Sequence, residues 1–353
     1  MLRVKSTHVL IILSVFISIL TGYRLSHVGK DTEAYQNHFY NSSISDGLYD
    51  RFEIGFALLM QFFSKTMLSV ELFFTFVALI VTLTYTHSFK KIYSKCFRDR
   101  NSNTSVLVVY FSLLLISSWY YSATTNGLRQ GLSLVFLYWA SVELFYFDKK
   151  LKFIGLLGIA ITFHYSAILI APFLLLHSIR FRYVFMVWAL LAYGYMTGLN
   201  EIAVKAISNS LNLPIYEYIK YYSLEKGLEE RGGGLYEGFI LSFFLYTVFW
   251  PALLLLFVKI KFSYKNPIAE RDNIYTLLKI YFLLSLIYFV LGFGPFSNRY
   301  AFFSWFLIPI IQIVTISLAF NLSSSRLLPL LAFFLAVVYF LYFRLDWISF
   351  FVY

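Results

Sequence analysis

Apolar runs close to the length of a membrane crossing recur from one end of the chain to the other, separated by short loops rich in lysine and arginine. A helix needs about 20 apolar residues to cross a hydrocarbon core about 30 Å thick. In lipid, only helices and closed barrels satisfy every backbone amide, and continuous runs of this length fit helices. The chain is 59% hydrophobic and only 13% charged, with a mean hydropathy of +0.71. Soluble domains hold about 25% charged residues. The expected fold is all-α: a polytopic membrane helix bundle forming a single integral membrane domain over residues 1–353.

The net charge of +11 does not indicate nucleic acid, because most of the 29 lysines and arginines fall in short loops on one side. Those loops carry Arg3 and Lys5, Lys90 to Arg100, Lys149 to Lys152, Arg180 and Arg182, Lys259 to Arg271, and Arg326. Loops with such an excess face the cytoplasm. Following that bias places the N-terminus in the cytoplasm, predicts about eleven passes, and puts residues 23–66 and 200–235 in extracytoplasmic loops. The apolar run after Phe52-Glu53 is too short to cross and reads as a half-inserted or interfacial helix. Residues 153–178 must break near His164 into two short passes, or every later basic loop falls on the wrong side. The other reading is one tilted span with His164 satisfied inside the bundle.

Aromatic residues make up 21% of the chain. Tyrosine and tryptophan favour membrane interfaces, so Trp119-Tyr120-Tyr121 reads as part of an aromatic belt. The long outer loop reads as two amphipathic helices split at Pro214, with Ile215-Tyr216, Tyr218-Ile219 and Tyr221-Tyr222 in an aromatic stripe packed on the bundle. The turn Arg231-Gly232-Gly233-Gly234 lacks the lysine of a phosphate-binding loop and reads as a hinge. The single cysteine, Cys96, excludes an intrachain disulfide and a thiolate metal cluster.

This topology gathers Asp31 with Tyr35, Glu53, Arg129 with Gln130, His164, and Asn298 with Arg299 on the outer face. Arg129 opens the apolar run Leu132 to Phe147, where a cation needs an anionic partner. Arginine forks bind phosphate oxygens two at a time. A carboxylate or imidazole can take a proton from a sugar hydroxyl, and Asp31 and Glu53 rank slightly ahead of His164 for that role. Glu53 also fits a plain alternative, a first-turn charge facing water and favoured by the helix dipole.

Five short motifs follow one another across nearly the whole chain: Gly29-x-Asp31-x-x-x-Tyr35, Glu53-x-Gly55, Leu128-Arg129-Gln130-Gly131, Phe163-His164-x-Ser166-Ala167 and Asn298-Arg299-Tyr300. In order and spacing the chain resembles the EpsG-like family of bacterial polysaccharide polymerases, which share their role with Wzy O-antigen polymerases. The resemblance implies a multi-pass protein of the bacterial inner membrane whose substrate is an undecaprenyl-diphosphate-linked oligosaccharide. It implies transfer of the growing glycan onto the next lipid-linked repeat unit at the periplasmic face, as in lipopolysaccharide or exopolysaccharide synthesis. Membrane lipid and a chain-length regulator are the implied partners, with no nucleic acid, cofactor or metal. Asp31, Glu53 and His164 would be the catalytic candidates, Arg129 and Arg299 would hold the diphosphate, and Tyr35, Gln130 and Asn298 the glycan. The rival functions are a lipid-linked glycan flippase or transporter, and a membrane O-acyltransferase. A transporter would need polar residues midway along several spans, and here the charges gather near the span ends.

Overall fold

The computed structural model describes residues 6–42, 52–97, 104–225, 238–262, 268–294, 296–320 and 327–346. The described elements are helices: α1 Ser6–Gly22, α2 Thr32–Ser42, α3 Ile54–Lys65, α4 Val70–Cys96, α5 Thr104–Ile116, α6 Ser118–Thr124, α7 Leu128–Phe147, α8 Lys150–Phe163 and α9 Ala167–Leu174. They continue as α10 Phe181–Thr197, α11 Leu199–Ser210, α12 Ile215–Glu225, α13 Leu241–Lys261, α14 Ile268–Leu291, α15 Ser297–Trp305, α16 Ile308–Ala319 and α17 Leu327–Tyr339. A 3₁₀ turn, Leu175–Ser178, extends α9, and a π turn, Phe340–Arg344, extends α17. Among the described residues, four stretches are each long and apolar enough to cross a membrane: Val70–Cys96, Leu241–Lys261, Ala269–Leu291 and Ser297–Ala319. The count rises to 5 if α5 and α6 form one span. The shorter apolar helices described are His8–Gly22, Ile54–Lys65, Ala167–Ser178 and Pro329–Arg344.

The chain divides into two compact units, residues 1–168 with 312–353, and residues 169–311. In the first, α4 packs against α1 and α7, α7 against α8, and α5 against α17. Gly22 allows the close approach of α1 to α4, since a Cβ there would lie 2.6 Å from the Thr75 Cα. Several tyrosines form the core of this unit rather than an interface belt. Tyr85, Tyr110, Tyr120 and Tyr138 are fully buried. In apolar surroundings each hydroxyl needs a partner, and α4 supplies two threonines one turn apart. Thr82 meets the Tyr120 hydroxyl at 2.7 Å and Thr86 meets that of Tyr110 at 3.3 Å. Tyr120 therefore departs from the expected belt.

The expected span over residues 104–121 is bent by 74° between α5 and α6. Ser117 makes the corner: its backbone is extended and its side chain accepts a bond from the Tyr120 N–H at 3.3 Å. The break at His164 is present. α8 ends at Phe163, His164 is extended, and a new helix starts at Ala167.

In the second unit, Trp188 of α10 lies 4.6 Å from Phe282 of α14, ring to ring, and its indole N–H donates to Ser285 at 2.7 Å. The expected outer-loop helices are α11 and α12. Tyr216 stacks on Phe293 at 5.9 Å and the buried Ile219 packs against Gly294, while Ile215 and Tyr218 are exposed, so only part of the expected stripe covers the end of α14. The triple-glycine turn lies outside the described residues.

Candidate active site

Glu53 directly precedes α3, with its backbone extended, and its side chain caps no helix N–H. It does not face water as a solvated first-turn charge would: it is 5% exposed. Each of its oxygens has a partner from another segment, one in α7 and one directly after α8. Arg129 Nη1 donates to Oε2 at 2.6 Å, and His164 Nδ1 lies 2.6 Å from Oε1. An ionised Glu53 pairs with a protonated Nδ1, and in the neutral imidazole that tautomer leaves Nε2 as a proton acceptor.

Small residues set this geometry. A Cβ on Gly55 would lie 2.7 Å from the Thr162 hydroxyl and 2.9 Å from its carbonyl oxygen. The start of α3 therefore rests directly on the end of α8, bringing Glu53 to His164. Gly131 does the same for α7: a Cβ there would lie 2.8 Å from the Ala123 Cα in α6. The glycines of Glu53-x-Gly55 and Arg129-Gln130-Gly131 are thus packing requirements of the charged residues beside them.

Arg129 is the second residue of α7, where the helix dipole disfavours a cation. Glu53 offsets that cost. The Arg129 guanidinium lies 5.1 Å over the Phe52 ring, also donates to the Tyr35 hydroxyl, and leaves its side chain 30% exposed. Tyr35 is buried against Phe52 and Phe56, and that burial pushes its hydroxyl pKa up, so it stays protonated. Burial alone would raise the Glu53 pKa. The hydrogen bond to His164 and the Arg129 charge outweigh it and hold the carboxylate at about 2. The displacement from 4.5 is worth roughly 3 kcal/mol in favour of the charged form. A lowered carboxylate pKa stabilises at pH above the ordinary value, so this tie is complete above pH 4.5 and fails only as pH falls towards 2.

Four of the residues singled out in the sequence thus come together: Tyr35, Glu53, Arg129 and His164. Asp31 is exposed and precedes α2, with its charge felt at Tyr35. Gln130 is half-buried beside Arg129. Asn298 and Arg299 belong to the second unit, in the first turn of α15, where the exposed Arg299 lies 4.5 Å over the Phe296 ring. Phe52 and Thr162 were not singled out. Their neighbours in sequence, Glu53 and Phe163-His164, were the available signal.

The far end of α7 carries a second charged cluster. Glu143 is fully buried and accepts from Lys91 of α4, from Lys152 of α8 at 2.9 Å and from the Trp139 indole at 2.8 Å. Lysines from two of the basic loops therefore meet at the end of α7 opposite Arg129.

The EpsG family model matches residues 8–353, nearly the whole chain. The chain belongs to the EpsG family. No curated protein and no solved structure matches it. Membership agrees with the multi-helix apolar fold and with a part in polysaccharide synthesis at a membrane.

Proposed function

We propose that this EpsG-family chain is a polysaccharide polymerase of the Wzy type, a metal-independent inverting glycosyltransferase. In this reading it takes a growing glycan from undecaprenyl diphosphate and joins it to the next lipid-linked repeat unit at the outer face of the bacterial inner membrane. The observation that carries it is Glu53, shared between a guanidinium and an imidazole. A fixed cation suits a diphosphate leaving group, and an imidazole oriented by a carboxylate suits removal of a hydroxyl proton, the same division of labour as in nucleophile–base–orienter triads.

The reaction balances without another reagent. The acceptor hydroxyl gives its proton to His164 Nε2 while its oxygen attacks the anomeric carbon of the donor. The bond from that carbon to the diphosphate oxygen breaks, and the electron pair leaves with the diphosphate. Arg129 meets the charge growing there. Both Glu53 oxygens are engaged and its pKa is low, so Glu53 orients and His164 accepts the proton. Asp31, Tyr35, Gln130 and Asn298 are assigned to sugar hydroxyls, and a chain-length regulator to control of product size.

Deletion of the gene in its own host, followed by gel analysis of surface glycan, tests the reading. A single capped repeat unit without a ladder is expected. Loss of all surface glycan would indicate a flippase, and a normal ladder lacking acyl groups an O-acyltransferase. The purified protein should extend lipid-linked repeat units in excess chelator. Abolition by chelator would end the metal-independent part.

The outer placement belongs to the same proposal, with an N-terminus in the cytoplasm and about eleven passes. Asn209 and Ser94 are both exposed and lie in loops or helix ends assigned to opposite sides. A cysteine at Asn209 should react with an impermeant thiol reagent in intact cells, and one at Ser94 only after lysis. The reverse pattern would put the site on the cytoplasmic face.

A further inference from the structure

Arg24 lies in the link between α1 and α2 and is 4% exposed. Its Nε donates to the Thr32 hydroxyl at 3.0 Å and its Nη1 to the Thr21 carbonyl at 3.0 Å, and the guanidinium sits 4.0 Å over the Phe74 ring. Nη2 is buried with no hydrogen-bond partner. These partners are a hydroxyl, a carbonyl and an aromatic face, and none is anionic. A buried charge is costly unless paired and fully hydrogen-bonded. Burial pushes the Arg24 pKa down to about 9, which still leaves it charged at neutral pH.

A second unpaired atom borders the same turn. Gly29 has φ +86°, and a Cβ there would lie 2.5 Å from Asn126 Oδ1 and 3.2 Å from the Thr32 hydroxyl on which Arg24 rests. Asn126 Oδ1 is buried without a hydrogen-bond partner. Tyr35, on the same helix as Thr32, feels the charge of both Arg24 and Arg129. An orphaned cationic donor and an orphaned acceptor therefore stand beside the Glu53–Arg129–His164 group.

We propose that Arg24 is an anion-binding residue of this site, a second guanidinium that takes one phosphate of a lipid diphosphate while Arg129 takes the other. A sugar diphosphate matches both orphans: its phosphate oxygens accept from Nη2, and a hydroxyl of its first sugar donates to Asn126 Oδ1. The inference rests on the proposed polymerase reading for its choice of ligand. It explains a buried arginine that the fold alone leaves uncompensated.

The test uses the full chain in nanodiscs, with undecaprenyl diphosphate as the probe and binding and thermal unfolding as the readouts. Undecaprenyl diphosphate should raise the Tm of the native protein, inorganic pyrophosphate should compete with it, and phosphatidylglycerol should give no comparable shift. Arg24→Met keeps the volume and removes the charge. It should leave the ligand-free Tm equal or higher, weaken undecaprenyl diphosphate binding by roughly 10-fold or more, and remove most of the ligand-induced shift. Arg24→Lys should restore part of the binding. Unchanged affinity in Arg24→Met overturns the inference, and so does a lowered Tm with weaker binding that Arg24→Lys does not recover. Equal stabilisation by phosphatidylglycerol overturns the choice of a diphosphate. If the native protein fails to bind undecaprenyl diphosphate, the polymerase reading itself fails. If the native protein binds it and Arg24→Met binds equally well, only the role of Arg24 is lost.

Discussion

Replacing His164 with glutamine is expected to lower turnover by roughly 10²- to 10⁴-fold, the usual contribution of a general base, with little change in KM. The amide fills a similar space and can still bond to Glu53, but it offers no basic nitrogen. The measurement is the initial rate of ladder formation by purified protein on lipid-linked repeat units. Glu53→Gln should also lose kcat, because the neutral amide no longer holds the imidazole in the tautomer that leaves Nε2 basic. Asp31→Asn should change apparent affinity instead, as expected of a group that binds ground state and transition state alike. A normal kcat in His164→Gln together with a collapsed kcat in Asp31→Asn would move the base to Asp31.

Arg129→Ala is expected to abolish polymer and also to destabilise the protein. The substitution leaves the Glu53 carboxylate buried without its cation, and breaking a buried pair from one side costs roughly 3–5 kcal/mol. The two losses can be separated. A Glu53→Gln/Arg129→Ala double variant no longer buries an unpaired charge, so its Tm should recover, while undecaprenyl diphosphate binding should stay lost. Glu53→Gln alone should keep that binding. Arg129→Lys should rescue only partly, because an ammonium is a point charge and cannot present a bidentate fork. The exposed Arg299 should lose polymer on change to alanine without a comparable fall in Tm. Native binding of undecaprenyl diphosphate by the double variant would remove Arg129 from the diphosphate site.

The sequence carried the fold wherever one physical rule acted alone. Loop charge demanded an interruption near His164, and a helix end is there. The proline at 214 divided the outer loop between α11 and α12. The bend at Ser117 was hidden, because apolar residues lie on both sides and a serine N-cap leaves no mark on hydropathy. The tyrosines misled for a related reason. A ring with a hydroxyl suits an interface, yet the same hydroxyl is tolerated in a core that offers Thr82 and Thr86. At the site, the identities of Tyr35, Glu53, Arg129 and His164 were legible. The sharing of Glu53 between Arg129 and His164 was not, since it depends on distances across three helices. Arg24 was missed because only burial distinguishes an uncompensated arginine from an ordinary cation at the end of a span.

Helices α7 and α8 pack side by side and are joined by polar groups at both ends. At one end Lys152 holds Glu143 directly, and at the other Glu53 bridges Arg129 and His164. Arg129 and Glu143 are separated by roughly 21 Å of helix, and Lys152 and His164 by roughly 18 Å. The pair therefore behaves as a braced frame with two nearly equal struts. Sliding one strut by a helical turn, about 5.4 Å, would pull out both fastenings at once, so the frame resists shear that neither fastening would withstand alone. The alignment of imidazole with guanidinium is in this sense secured from the opposite end of the bundle. Lys152, at the opposite end of the two helices, helps to keep Arg129 and His164 in register.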